Sequence, residues 1–208
     1  MSKYRINEIF LSPQGEGARQ GDLSVFIRFT GCNLRCDIEP GPRSPGGFAC
    51  DTEFMSGVRM SALEIVQRAD ELWGEQAVEP WVVLTGGEPL LQVDAALVDL
   101  LHERGWKIQI ETNGTRAVPD EWGIDWLTVS PKVAEHALRQ LKAHEVKYVR
   151  GFGQGLPKTR IQAMRRFISP AFDGNEPNPE TLDWCERLCT GDSEWEVSVQ
   201  MHKVWGVR

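Results

Sequence analysis

The sequence predicts an α/β fold with a mainly parallel sheet, in a single domain over residues 1–208. From about residue 23 onward, short runs of β-branched and aromatic residues alternate with amphipathic runs, which is the pattern of βαβ units. Turn residues separate these runs, and the sequence contains no internal repeat. Its 208 residues, of which 41% are hydrophobic and 25% charged, are enough to bury a sizeable core.

Six runs are predicted to be strands, because each is short, apolar and bounded by turn residues. The third and fourth are followed by the polar segments 111–114 and 130–132. Parallel α/β sheets bind ligands at the carboxyl ends of their strands, so these segments are candidates for a site. In chain order the predicted strands are 24–29, 81–84, 106–110, 126–129, 146–149 and 195–199.

Helices are predicted where a capping residue precedes an apolar face. Ser61 and Glu64 fit a capping box, after which Leu63, Val66 and Leu72 follow on roughly one helical face. A second helix begins after Asp94 and is stopped by Gly105, a residue suited to a helix end. Two further helices are predicted at about 134–141 and 181–188.

The net charge of −7 argues against a nucleic-acid backbone as the main ligand, because phosphate contacts need clustered Lys and Arg. The apolar runs are far shorter than a membrane span, and the first residues lack the apolar core of a signal peptide. We therefore expect a cytoplasmic protein with neither membrane nor nucleic-acid partners. Five cysteines form a poor disulfide framework in that reducing setting, which favours metal ligation or burial.

Three of the cysteines lie in and after one loop. Cys32 and Cys36 follow the first predicted strand, and thirteen residues separate Cys36 from Cys50. Three thiolates can hold three irons of a [4Fe–4S] cluster and leave the fourth iron open to a ligand. A zinc site and buried free thiols are the alternatives. Cys185 and Cys189 lie in an amphipathic helical run and are assigned to packing.

This loop resembles the cluster loop of the radical S-adenosylmethionine superfamily, whose usual spacing is Cys-x3-Cys-x2-Cys with an aromatic residue before the third cysteine. Here an insertion at about 37–49 separates Cys36 from Cys50, and Ala49 precedes Cys50. The longer loop costs roughly 1.5–2 kcal/mol in closure entropy, which is small beside the energy of cluster ligation. We expect the insertion, rich in Pro and Gly over 40–47, to cap the cluster or contact a reductase.

Further segments resemble the 7-carboxy-7-deazaguanine synthase family of this superfamily, in matching order along nearly the whole chain. They are Gln-Gly-Glu-Gly at 14–17, Cys-Asp-Thr at 50–52, Thr-Gly-Gly-Glu-Pro at 85–89, Ser-Pro-Lys at 130–132 and Gln-Met-His-Lys at 200–203. The resemblance implies Thr52 as a Mg²⁺ ligand beside the substrate. It implies a substrate site formed by Pro13, Gln14, Gly15, Glu16, Arg28, Thr85, His202 and the terminal Arg208. It implies an S-adenosylmethionine site formed by Gly87, Ser130, Pro131, Lys132 and, in place of a family glutamine, Ser169.

The same resemblance implies a reduced, partial (β/α) barrel that forms a homodimer. The implied reaction is the radical ring contraction of 6-carboxy-5,6,7,8-tetrahydropterin to 7-carboxy-7-deazaguanine, with loss of ammonia. Its cofactors are a [4Fe–4S] cluster, S-adenosylmethionine and Mg²⁺, and its electron donor is a protein such as flavodoxin or ferredoxin. Two alternatives stay open, another radical enzyme such as a glycyl-radical activase and a non-enzymatic metal-binding module. The pathways to queuosine, to other deazapurines and to modified DNA all share this product as an intermediate, so the resemblance does not distinguish among them.

Overall fold

A computed structural model describes residues 3–36, 47–48, 50, 52–174, 176–191 and 194–207. Within these ranges nine strands form one sheet, and two short strands, β9 and β10, form a separate ribbon. The strands are β1 (Lys3–Pro13), β2 (Leu23–Phe29), β3 (Val58–Ser61), β4 (Trp81–Gly86), β5 (Lys107–Thr112), β6 (Trp126–Val129), β7 (Lys142–Arg150), β8 (Gln162–Pro170), β9 (Phe172–Asp173), β10 (Glu176–Pro177) and β11 (Glu196–Val197). The helices are α1 (Ala62–Trp73), α2 (Ala95–Glu103), α3 (Pro179–Thr190) and α4 (Met201–Trp205).

The large sheet has the strand order β11-β8-β7-β6-β5-β4-β2-β1-β3. Strands β2, β4, β5, β6, β7, β8 and β11 run parallel, and β1 and β3 extend the sheet as antiparallel strands. The outermost strands of this order do not pair with each other, so the sheet stays open rather than closing into a barrel. The prediction of an α/β fold with a mainly parallel sheet is confirmed.

The two faces of the sheet differ in chemistry, because successive residues of a strand point to opposite sides. One face packs against helices and carries core residues such as Ile27, Leu84 and Ile108, all fully buried. The opposite face carries polar and charged residues at the alternate positions of the same strands. Among them are Arg28 on β2, Thr85 on β4, Glu111 on β5, Glu145 on β7 and Lys147 on β7.

The capping box of α1 is confirmed, since Ser61 Oγ accepts from Glu64 N at 3.3 Å and Glu64 Oε2 accepts from Ser61 N at 2.7 Å. The predicted buried face is wrong in part, because Leu63 is 48% exposed. Nine residues at about 100° each place Leu72 half a turn away from Leu63, so the two cannot share one face. The buried residues of α1 are instead Ile65, Val66, Ala69 and Trp73.

The second cap is also confirmed, since Asp94 Oδ1 accepts from Leu97 N at 3.2 Å at the start of α2. The helix predicted at about 134–141 is wrong. This segment contains only a 3-10 turn over Glu135–Ala137 before β7 begins. The N–H groups of Arg139 and Gln140 bond to the carbonyl of Gly114, at 2.8 and 3.1 Å, so they are not available for a helix.

Several elements were not predicted. Strands β1, β3 and β8 and the C-terminal helix α4 are all additional to the predicted ones. The last predicted strand, 195–199, is reduced to β11, which spans two residues. Within the described part of the chain, no helix is long and apolar enough to cross a membrane.

Candidate functional site

A cavity of about 200 Å³ lies on the polar face of the sheet, where several strands end. Eight residues assigned to substrate or Mg²⁺ from the sequence line it, namely Pro13, Gln14, Gly15, Glu16, Arg28, Thr52, Thr85 and His202. Arg208 lies outside the described residues. Five further lining residues were not assigned a role from the sequence, namely Phe10, Phe26, Glu111, Gln200 and Lys203. The structure thus gathers residues from both ends of the chain into one site, and their roles remain predictions.

The segment 14–17 crosses the cavity between β5 and the C-terminal helix. The Gln14 amide donates to Glu111 Oε1 at 3.0 Å, and its oxygen accepts from Glu16 N at 3.1 Å. The carbonyl of Gly15 accepts from Met201 N at 3.0 Å. A Cβ added at Gly15 would lie 2.3 Å from Nδ1 of His202, so only glycine allows this close approach of loop and imidazole.

Glu111 belongs to the candidate segment 111–114, but the sequence assigned it no role of its own. Its carboxylate accepts from the Thr85 hydroxyl at 2.9 Å and from the Gln14 amide at 3.0 Å. Burial raises the pKa of this carboxyl, while the two hydrogen bonds and the nearby charges of Arg28 and Arg19 act in the opposite direction. A Glu at the carboxyl end of a predicted parallel strand was the available signal, because that edge is where such sheets bind ligands.

Arg28 supplies positive charge to the cavity wall. Its guanidinium carbon lies 5.7 Å from the centre of the Phe10 ring, close enough for a cation–π contact. Its Nε forms an ion pair with Glu8 Oε1 at 2.9 Å, in a geometry that leaves Nε without a hydrogen bond in the described part of the chain. A carboxylate ligand could satisfy such a guanidinium.

Glu16 lines another part of the cavity and forms a buried ion pair with Lys147. The Lys147 ammonium pairs with Glu16 Oε2, and the Gln200 amide donates to Glu16 Oε1 at 3.0 Å. Burial lowers the pKa of Lys147 to about 8. The Glu16 carboxylate opposes that effect because it favours the charged ammonium. The two opposite charges therefore offset each other inside the protein.

The three loop cysteines lie near one another. Cys32 and Cys36 are half-buried, and Cys50 is exposed. Burial is the largest cause that raises the pKa of the Cys32 and Cys36 thiols. The charge of Cys50 raises both values further, and Lys132 lowers that of Cys36. The three thiols therefore affect one another electrostatically.

These thiols are not drawn together into a preformed site. Across the described ranges, no three His, Cys, Asp or Glu side chains are close enough to hold a metal ion. Ligand loops commonly close only when the metal binds, since binding and folding are coupled. By donor type and count, three thiols near the end of β2 fit a [4Fe–4S] cluster with one open iron.

Most of the loop insertion, residues 37–46 and 49, lies outside the described residues, so its role remains a prediction. Phe48 is described, and its ring lies 3.4 Å from where a Cβ on Gly151 would stand. The insertion therefore contacts the chain just after β7. Thr52 lies two residues after Cys50, and the Cys50 thiol donates to the Thr52 carbonyl at 3.8 Å.

The residues assigned to S-adenosylmethionine lie outside the cavity lining. A Cβ on Gly87 would lie 2.1 Å from the carbonyl oxygen of Gly31, so this glycine lets the end of β4 approach the cysteine loop. Ser130 N donates to Thr112 O at 2.8 Å, and Pro131 and Lys132 follow it toward Cys36. Ser169 is buried near the carboxyl end of β8.

Glu88, of the Gly-Gly-Glu segment, connects the segment after β5 to the cysteine loop. Glu88 is fully buried and accepts from the Thr112 hydroxyl and from Asn113 N, both at 2.8 Å. The Asn113 amide in turn donates to Asn33 Oδ1 at 3.1 Å and lies 4.0 Å from the Cys32 sulfur. The segment therefore supports the cysteine loop as well as bordering it.

Comparison with known proteins points to one family, although no protein-family model matches the chain. The chain is 42% identical over 215 residues to the 7-carboxy-7-deazaguanine synthase of Bradyrhizobium diazoefficiens, with 99% of each protein covered. It is 40% identical over 205 residues to that of Bacteroides thetaiotaomicron, with 98% of each covered. The crystal structure of QueE from Escherichia coli superposes with a TM-score of 0.68 at 24% identity, over 95% of this chain and 94% of that one, which shows a shared fold.

Proposed function

We propose, because the chain belongs to the 7-carboxy-7-deazaguanine synthase family, that it converts 6-carboxy-5,6,7,8-tetrahydropterin to 7-carboxy-7-deazaguanine with release of ammonia. The observation that carries the proposal is that the 14–17 loop, the ends of β2, β4 and β5, and the C-terminal helix all line one cavity. It opens at the sheet edge that also bears the cysteine loop.

The charges of the cavity suit a carboxylated pterin. Arg28 is the candidate partner of the substrate carboxylate, because a guanidinium forms two parallel hydrogen bonds to such a group. The Glu111 carboxylate has acceptor capacity beyond its bonds to Thr85 and Gln14, and it can accept N–H groups from the ring. His202 closes the opposite wall through its contact with Gly15.

Two aromatic side chains provide an apolar surface beneath these polar groups. Phe10 and Phe26 stack with ring centres 5.2 Å apart and an interplanar angle of 6°, and both line the cavity. A flat heterocycle needs such a surface on one side while its polar edge is hydrogen-bonded. The cavity therefore supplies both elements of pterin recognition.

Cys32, Cys36 and Cys50 are the proposed ligands of a [4Fe–4S] cluster, and Gly87 and residues 130–132 would border S-adenosylmethionine at its open iron. When bound, these two groups supply the electron transfer and radical chemistry that the reaction requires. The chain contributes thiols, a glycine segment that permits close approach, and the positive charge of Lys132 beside Cys36. Thr52 is the proposed Mg²⁺ ligand, since Mg²⁺ takes few protein oxygens and keeps waters or substrate oxygens.

Anaerobic reconstitution with iron and sulfide tests this proposal. The protein is then incubated with reductant, S-adenosylmethionine and carboxytetrahydropterin, and product is measured by mass spectrometry. We expect 7-carboxy-7-deazaguanine from the wild type and none from Cys50→Ala. Cys189→Ala is the matched control, because this thiol lies in α3 and packs against the core.

Other outcomes favour the alternatives. Cleavage of S-adenosylmethionine with an untouched pterin would indicate a different radical enzyme, such as a glycyl-radical activase. Bound zinc without sulfide would indicate a metal-binding module. Thr52→Ala should lower Mg²⁺-dependent turnover, and unchanged turnover would remove the Mg²⁺ assignment.

The remaining expectations belong to the same proposal. They are a homodimer, a location in the cytoplasm, and an electron donor such as flavodoxin or ferredoxin. Membership of the family supports use of the product in queuosine biosynthesis. Each of these expectations needs its own experiment.

A further inference from the structure

Lys147 is a buried cation directed toward the cavity from the middle of β7. Its neighbours Val146 and Tyr148 face the hydrophobic core, so the alternation of the strand directs Lys147 to the opposite, polar face. Its side chain is 12% exposed, and that of its partner Glu16 is 13% exposed. Lys147 does not itself line the cavity, whereas Glu16 does.

Glu16 is held from two sides. One carboxylate oxygen pairs with Lys147, and the other accepts from the Gln200 amide at 3.0 Å. The adjacent backbone is tied to the same C-terminal segment, since Gly17 N donates to Ser198 Oγ at 2.9 Å and Gly15 O accepts from Met201 N at 3.0 Å. Glu16 therefore joins strand β7 to the 14–17 loop and to the C-terminal segment.

The ion pair also controls the charge of the cavity wall. A carboxylate buried without a cation tends to take up a proton, because desolvation penalises its charged form. Lys147 balances the charge of Glu16, and the carboxylate keeps lone pairs beyond the two already used.

We propose that Lys147 is a positioning residue for the substrate, which fixes the charge and orientation of Glu16 so that its carboxylate accepts N–H groups of the bound pterin. This inference rests on the proposed function only for the identity of the ligand. It assigns Lys147 no contact with substrate or cofactor. Its effect on binding is therefore transmitted wholly through Glu16.

A double-mutant cycle tests that dependence. The variants are Lys147→Met, Glu16→Gln and the two combined, with Lys147→Arg as the conservative replacement. The probe is 6-carboxypterin, an oxidised analogue of the substrate, titrated by equilibrium dialysis against the reconstituted protein. A matched control is Arg165→Met on β8, which breaks an exposed ion pair with Glu196 on the same sheet.

We expect Lys147→Met to raise the dissociation constant about tenfold or more, as for loss of a charge-assisted bond. Lys147→Arg should restore most of the affinity, and the double variant should bind no more weakly than Glu16→Gln alone. In turnover, KM should change more than kcat. Arg165→Met should bind like the wild type.

Wild-type affinity in Lys147→Met would overturn the inference. It would also be overturned if the fold-change in dissociation constant of the double variant equalled the product of the two single fold-changes, because the two residues would then act independently. If Lys147→Met does not fold, the affinity of the double variant is compared with that of Glu16→Gln. The double variant removes both charges, and weaker binding than Glu16→Gln would overturn the inference. A wild-type protein that does not bind 6-carboxypterin would overturn the proposed function as well. Binding by the wild type with unaffected variants would overturn only the role of Lys147.

Discussion

The Thr85 hydroxyl donates to Glu111 Oε2 at 2.9 Å, which joins the ends of two adjacent parallel strands across the floor of the cavity. The second oxygen of Glu111 accepts from the Gln14 amide at 3.0 Å. A buried carboxylate oriented by two donors is fixed in direction and still has lone pairs for a ligand. Glu111 is thus placed to recognise N–H groups of the bound molecule.

Glu111→Gln should raise KM for the pterin about tenfold or more. The substitution keeps the size of the side chain but replaces one acceptor oxygen by an NH₂ group, which cannot accept from Thr85 or Gln14. Hydrogen bonds to a charged group contribute about 1.5–3 kcal/mol. Steady-state kinetics measure the change, and Glu196→Gln, at an exposed ion pair, is the matched control. An unchanged KM would show that this carboxylate does not contact the substrate.

The parallel part of the fold was predictable because its strands are short, apolar and separated by caps and turns. Strand β8 was missed because Arg165 and Arg166 interrupt its apolar run, although Phe167 and Ile168 are buried. The failed helix at 134–141 shows a limit of local patterns. Its backbone donors are taken by Gly114, a partner too distant in sequence to be foreseen from local periodicity.

The residues of the site were predicted mainly through the family resemblance. Gln14 and His202 lie at opposite ends of the chain, and their motifs alone carry no sign that both line one cavity. Lys147 lies in a segment predicted as an ordinary strand, and Glu111 was predicted only as part of the candidate segment 111–114 at a strand end. Their importance depends on which face of the sheet is polar, and that follows only from the three-dimensional arrangement of the strands.

Gly15→Ala should weaken substrate binding with less effect on kcat. The new Cβ would lie 2.3 Å from His202 Nδ1, so either the imidazole or the loop must move. Overpacking of this kind costs about 1–3 kcal/mol, and here the displacement falls on two lining residues. KM and kcat measured separately test this expectation.

Gly155→Ala is the control for the loss of a glycine. A Cβ at Gly155 would meet no atom of the described residues within 4 Å, so kinetic constants should stay at wild-type values. Equal effects of the two substitutions would show that the contact between Gly15 and His202 is unimportant for binding.

The five cysteines should differ sharply in alkylation by iodoacetamide. Cys50 is exposed, whereas Cys185 is fully buried. Burial, and secondarily Cys189, raises the pKa of the Cys185 thiol to about 11. Because the thiolate is the reactive form, Cys185 should stay unlabelled at neutral pH until the protein unfolds.

Peptide mass spectrometry of the native protein measures this order of labelling before and after reconstitution. Cluster assembly should protect Cys32, Cys36 and Cys50 and leave the labelling of Cys189 unchanged. Persistent labelling of Cys50 in cluster-loaded protein would contradict its assignment as a ligand.

Glu53 should stabilise the protein in a pH-dependent way. Its carboxylate accepts from Ser56 N at 2.9 Å, from Ser56 Oγ at 2.7 Å and from Met55 N at 2.7 Å. These hydrogen bonds, those of Ser56 first, lower the pKa of Glu53 to about 2 from the usual 4.5. The turn they form is anchored beside the cysteine loop, since Gly31 N donates to Phe54 O at 2.8 Å.

The sign follows from proton binding. Between pH 4.5 and 2 the unfolded state binds more protons at Glu53 than the folded state does, so stability falls as the pH falls through this window. Glu53→Gln should therefore lower Tm most above pH 4.5, and the Tm difference from the wild type should shrink toward pH 2. Thermal unfolding at pH 7 and pH 3 measures it. Glu71→Gln, which breaks an exposed ion pair with Arg68 in α1, controls for loss of a surface charge. If the Tm difference between Glu53→Gln and the wild type is the same at pH 7 and pH 3, the role of Glu53 is refuted.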